Sequence, residues 1–176
     1  LRPFFSQFTQ HPDWTVQVHA VLGIAELSEE QSIDPWLVQQ IAPTAREHLI
    51  AQALDDGLIK KEQMQALLKW PQLEDAPKLL LLTDLHAMGG DDAVVDQAIV
   101  RDLAKSTDLT VAMFAALLSK NQESIDRTTK YLRRATSTNR DNALLRTTQL
   151  IRQYNFKSAS PWLVSLLEDG SVALTP

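Results

Sequence analysis

The stretch that decides the fold is DLTVAMFAALLSKNQESIDRTTKYL, residues 108–132. Asp108 is a capping residue set before an apolar run, and Met113, Phe114, Leu117 and Leu118 follow it at helical spacing. Asn121 then opens a second helix, in which Ile125 and Leu132 stand one heptad apart. Two short helices with so short a link must lie antiparallel, because the connection cannot reach the far end. The spacing therefore predicts a helix pair as the unit of the fold.

The same punctuation runs outward in both directions. Asp13 precedes Trp14, Val18, Val21, Leu22 and Ala25 at helical steps. Asp34-Pro35 and Ser160-Pro161 each put a capping residue before a proline at the first helical position, where a missing amide costs nothing. Pro43 ends or kinks the segment begun at Pro35, and Arg46, Leu49, Ile50, Ala53 and Leu54 continue on a new axis until Gly57. Met64, Leu67 and Leu68 mark a helix stopped before Pro71. Asp75 introduces another, with Leu79, Leu82, Leu85 and Met88, closed by Gly89-Gly90.

After Asp91, Val95, Ile99 and Leu103 recur at four-residue steps. Downstream, Thr138 with Asp141 resembles a capping box ahead of Leu144, Thr148 and Ile151. No stretch alternates over a strand's length, so the chain reads as all-α, with at least eight helices and no sheet. The expected core is Val18, Val21, Leu22, Leu49, Ile50, Leu67, Leu82, Leu85, Val95, Ile99, Leu103, Phe114, Leu117, Leu118, Leu132 and Ile151.

With Lys61, Asp75, Asp91, Asp108, Asn121 and Thr138 as starts, every second one falls 30 to 33 residues further on. Stacked helical repeats use units of this length. By helix length and period the chain resembles the HEAT, armadillo and tetratricopeptide class across most of its length. The Trp, Gly and Tyr signature of the tetratricopeptide unit is missing, as is the Thr-Pro-Leu-His of ankyrin. Pro35-Trp36-Leu37-Val38 is echoed at Pro161-Trp162-Leu163-Val164. The resemblance implies a right-handed α-solenoid of antiparallel helix pairs, here one domain over residues 1–176. A compact irregular helical bundle is the alternative. The chain starts without Met, and the expectation is a fragment of a longer protein.

Composition bounds the function. With 44% hydrophobic and 22% charged residues the chain is globular in character. The absence of cysteine excludes disulfides, thiolate zinc sites and Cys nucleophiles. No apolar run approaches the roughly 20 residues that cross a bilayer. The first residues lack a signal-peptide core. A cytoplasmic setting without membrane association is expected.

Asp84-Leu85-His86 and Asp91-Asp92 flank Gly89-Gly90 and could hold a divalent metal or act as an acid–base pair. The favoured reading is plainer: a helix C-terminus next to His86, a glycine stop, and an acidic start for the next helix. His11, His19 and His48 have no second histidine at zinc-helix spacing, and neither a nucleophile elbow nor a phosphate-binding glycine loop is present. No catalytic residue, metal site or cofactor is expected; an enzyme built on the Asp84–Asp92 loop is the least favoured function.

Charge is the remaining signal. Residues 121–157 carry eight basic side chains against three acidic ones, a net +5, so the rest must carry −10 to give the overall −5. On a helix, Arg127, Lys130 and Arg134 fall within roughly 60° of one another. Arg140, Arg146 and Arg152, at six-residue steps, scatter around theirs. Arg127, Lys130 and Arg134 are the candidate partner-binding residues. Trp14, Trp36 and Trp162 are expected as buried corner packing. Phe4, Phe5 and Phe8 form an N-terminal cluster that caps the stack or meets a neighbouring domain. The expected function is a non-catalytic scaffold or adaptor for a protein partner with an acidic or mixed surface. The alternative is a nucleic-acid-binding domain using the 121–157 region, for which the DNA-glycosylase members of the HEAT-like class are the precedent by resemblance.

Overall fold

The structure, a computed structural model, describes residues 2–89, 97–154 and 156–168. Among them are eleven α-helices, a single 3-10 turn and no strand. The chain divides into two units, Leu1–Ala93 and Val94–Pro176.

The first unit holds α1 (Arg2–Ser6), α2 (Trp14–Glu26), α3 (Pro35–Gln40), α4 (Pro43–Asp55), α5 (Lys61–Leu68) and α6 (Asp75–Gly89). Helix α4 packs on both α2 and α6, α5 packs on α6, α1 packs on α2, and α3 touches α5 more lightly. Local sequence sets the boundaries. The Asp13 carboxylate accepts from Thr15 N and that of Asp34 from Trp36 N, each at 2.9 Å, satisfying amides that a helix start leaves unpaired. Pro43 opens α4 on its own axis. Gly57 takes φ +70 just past its end, a left-handed conformation open to glycine.

Loops of successive pairs are also tied. Ile33 N donates to Leu58 O at 2.8 Å, the Gln63 amide donates to Ser32 Oγ at 2.9 Å, and Ala42 N donates to the Gln17 side chain at 2.8 Å. Gly23 in α2 seats Phe5, whose ring a Cβ would approach to 2.9 Å.

The second unit holds α7 (Gln97–Leu103), α8 (Leu109–Ser119), α9 (Gln122–Arg134), α10 (Ser137–Gln153) and α11 (Ser160–Glu168). Its organisation is centred: α7, α9 and α10 all pack on α8. Every residue from Val111 to Leu118 is buried, because α8 carries no charge and is apolar on all sides. The sequence had predicted only a stripe there. Phe156 closes the bottom of this core, its ring 5.8 Å from that of Phe114.

Four expectations are corrected. Thr136, not Thr138, caps α10, its hydroxyl accepting from Asn139 N at 3.4 Å. Ser160 does not cap α11; a 3-10 turn at Lys157–Ala159 runs straight into the helix, and Ser160 already has helical dihedrals. Leu85 and Ile99 are half-buried instead of core, while Val95 lies outside the described residues. Trp14 and Trp36 are 37% and 58% exposed, and of the three tryptophans proposed as corners only Trp162 is buried. Trp14 instead lies against His48, ring centres 4.5 Å apart.

Candidate functional site

Helix α9 is polar outside and anchored inside. Asn121 caps it, accepting from Ser124 N at 3.1 Å. The buried face is Ser124, Thr128 and Leu132, with Ile125 and Thr129 half-buried beside them. Two threonines on this face return their hydroxyls to the helix, Thr128 to Ser124 O at 2.7 Å and Thr129 to Ile125 O at 2.8 Å. The Trp162 indole of α11 donates to Thr129 Oγ1 at 3.2 Å, fixing the rotation of α9.

That rotation turns Arg127, Lys130 and Arg134 to solvent as a face about 10.5 Å long at 1.5 Å per residue. Among the described residues none of the three forms an ion pair. Tyr131, 58% exposed, stands at the edge of the same face. The acids on the helix are Glu123 and Asp126, and Asp126 accepts from Gln122 Nε2 at 2.7 Å.

Arg140 is half-buried with Nε 3.5 Å from the Asp141 carboxylate, while Arg146 and Arg152 are exposed. Arg146 with Asn139 and Asn142 of α10 faces Asp108 and Thr110 at the start of α8 across an open groove of about 540 Å³. This groove was not legible beforehand, since it depends on how α8 and α10 pack.

The Asp84–Asp92 loop is described only in part. Asp84 and His86 are half-buried on α6, and Asp91 and Asp92 lie outside the described residues. Burial and, secondarily, the nearby Asp55 carboxylate push the Asp84 carboxyl above its ordinary range. Among the described residues no three His, Cys, Asp or Glu side chains gather as a metal would need.

The spacing puts one charge, Arg46, in the apolar stripe of α4. Arg46 is 8% exposed and fully engaged. Its guanidinium donates to Val38 O at 3.2 Å, Gln39 O at 3.3 Å and Glu74 Oε1 at 2.7 Å, and lies 4.6 Å from the Trp70 ring centre. It closes the C-terminal end of α3, whose last carbonyls have no helical donor. Every polar contact it makes is internal, so it is an anchor of the first unit.

No protein-family model, curated protein or solved structure matches the chain. Among the described residues no helix is long and apolar enough to cross a membrane.

Proposed function

We propose that the chain is a non-catalytic helical-repeat module that binds a protein partner through the exposed face of α9. The observation that carries this reading is the set of three cations, Arg127, Lys130 and Arg134, in one arc without an ion pair among the described residues. Glu123 stands on the same arc one turn before Arg127, and the three cations follow it toward the C-terminal end of the helix. Tyr131 adds an aromatic surface at its edge, and exposed Tyr next to Arg is the composition of binding hot spots. The packing of α4 on both α2 and α6 supports the repeat half of the reading, as do starts of these helices 29 and 32 residues apart. The partner's surface is acidic, with carboxylates spaced to meet cations at i, i+3 and i+7.

Tyr131 also favours a second reading. An exposed ring among cations can stack an unpaired base, which single-stranded nucleic-acid binders exploit. Titrating the chain into a labelled helical peptide with Glu at i, i+3 and i+7, and into single-stranded and duplex DNA, separates the two. The proposal expects salt-sensitive peptide binding and no tight DNA complex. DNA binding with a steep negative salt slope, without peptide binding, would transfer the site to nucleic acid.

A further inference from the structure

The chain itself carries an acidic complement to α9. Residues 1–93 contain fourteen Asp and Glu against six Lys and Arg, a net −8. Residues 94–176 contain eleven bases against eight acids, a net +3. A field polarised in this way steers copies of the chain together with opposite charges facing.

The two surfaces are exposed in different units. In the second unit three exposed cations, Arg127, Lys130 and Arg134, share one face of α9. In the first unit an open cleft of about 450 Å³ has Glu29, Glu30 and Asp34 in its walls. Trp36, next to the wall residue Pro35, is the most exposed of the described tryptophans that the sequence had placed in corners, at 58%. Among the described residues none of these three acids forms an ion pair.

We propose that α9 of one copy docks on the 1–93 unit of a second copy, its three cations against the Glu29–Asp34 cleft, with Tyr131 and Trp36 supplying apolar contact. This rests on α9 being a partner-binding face, and it names the partner. The contact uses different patches on the two copies, so it is heterologous, and copies add head to tail instead of stopping at two unless the rotation closes a ring.

The test is sedimentation velocity of the full chain. At about 10 mM salt, where screening sets in only beyond roughly 30 Å, the average mass rises with concentration above the monomer. At about 1 M salt, with a screening length near 3 Å, it returns to the monomer. The triple variant R127E/K130E/R134E and the double variant E29K/E30K each remain monomeric at low salt. Asp34 is left intact because it caps α3. An equal mixture of the two variants associates again, since each supplies the charge the other has lost.

A wild-type chain that stays monomeric at low salt overturns the proposal. So does a mixture that fails to associate while both variants keep the wild-type circular dichroism spectrum. If the monomeric wild type still binds the Glu-bearing peptide, self-association falls and the α9 reading survives. If it binds neither, both fall.

Discussion

The two units solve the same burial problem in opposite ways. In residues 1–93 the apolar surface is shared: α2, α4 and α6 each bury part of themselves, and α4 packs on both of the others. In residues 94–176 it is concentrated in α8, which is buried along Val111–Leu118 and contacted by three other helices. A helix packed on a wholly apolar neighbour needs only a narrow buried stripe of its own. That leaves α9 free to be polar over most of its circumference, with Ser124, Thr128 and Leu132 sufficient as its inner face.

The treatment of cations follows from this. Arg46 sits in the shared core, so every donor it turns inward must be satisfied. The cations of α9 face water and carry no such obligation. Arg46 is thus charge that the fold requires, and the Arg127, Lys130 and Arg134 side chains are charge that it merely permits.

Phe114, at the centre of α8, is 1% exposed. Phe114→Ala should destabilise the second unit by about 3–5 kcal/mol, from lost burial and the cavity left behind. Urea unfolding followed by circular dichroism reads this directly. A loss below about 1 kcal/mol would mean that α8 is not the centre of that core.

Removing the required charge comes next. Arg46→Ala leaves the carbonyls of Val38 and Gln39 and the Glu74 carboxylate without their donor and strips the face of Trp70. The expected cost is about 2–3 kcal/mol, held below the figure for a fully buried pair because the Glu74 side chain is 37% exposed. Arg46→Lys should recover only part of it, since an ammonium cannot reproduce the planar fork. Full recovery by Lys would contradict the assignment of the three-acceptor geometry.

A smaller change sharpens the contrast within the second unit. Thr147 of α10 is 0% exposed, and among the described residues its hydroxyl has no hydrogen-bond partner. Thr147→Val keeps the shape and removes the unsatisfied group, so it should stabilise the chain by about 1 kcal/mol. A destabilisation in the same urea experiment would show that the hydroxyl does find a partner in solution.

How much of this was written in the sequence depends on the range of the interaction. Asp13, Asp34, Asp108 and Asn121 cap amides two or three residues away, and each was legible from its neighbours alone. Thr136 was missed for Thr138 because both precede the same helix and only the backbone's entry decides between them. Ser160 failed because a 3-10 turn feeds α11, which no local pattern announces. Trp14 and Trp36 have apolar neighbours at helical steps, yet their exposure is set by which helix packs opposite. The arc of Arg127, Lys130 and Arg134 was legible because Leu132 fixes the inside of α9 and the helical period fixes the rest. The Arg46 network was not, since Glu74 lies 28 residues away in sequence.

The fold permits the exposed cations of the α9 face, and the proposed role for them is binding. The triple variant R127E/K130E/R134E tests it most directly, with thermal unfolding and binding to the Glu-bearing helical peptide measured on the same preparation. Stability should change by no more than a few tenths of a kcal/mol for each like-charged pair within the helix, because the three side chains are exposed and form no ion pair among the described residues. Peptide binding should be lost at low salt. A variant that unfolds many degrees lower would make the face structural, and a variant that still binds the peptide at low salt would show that the cations of α9 are only a wetted surface.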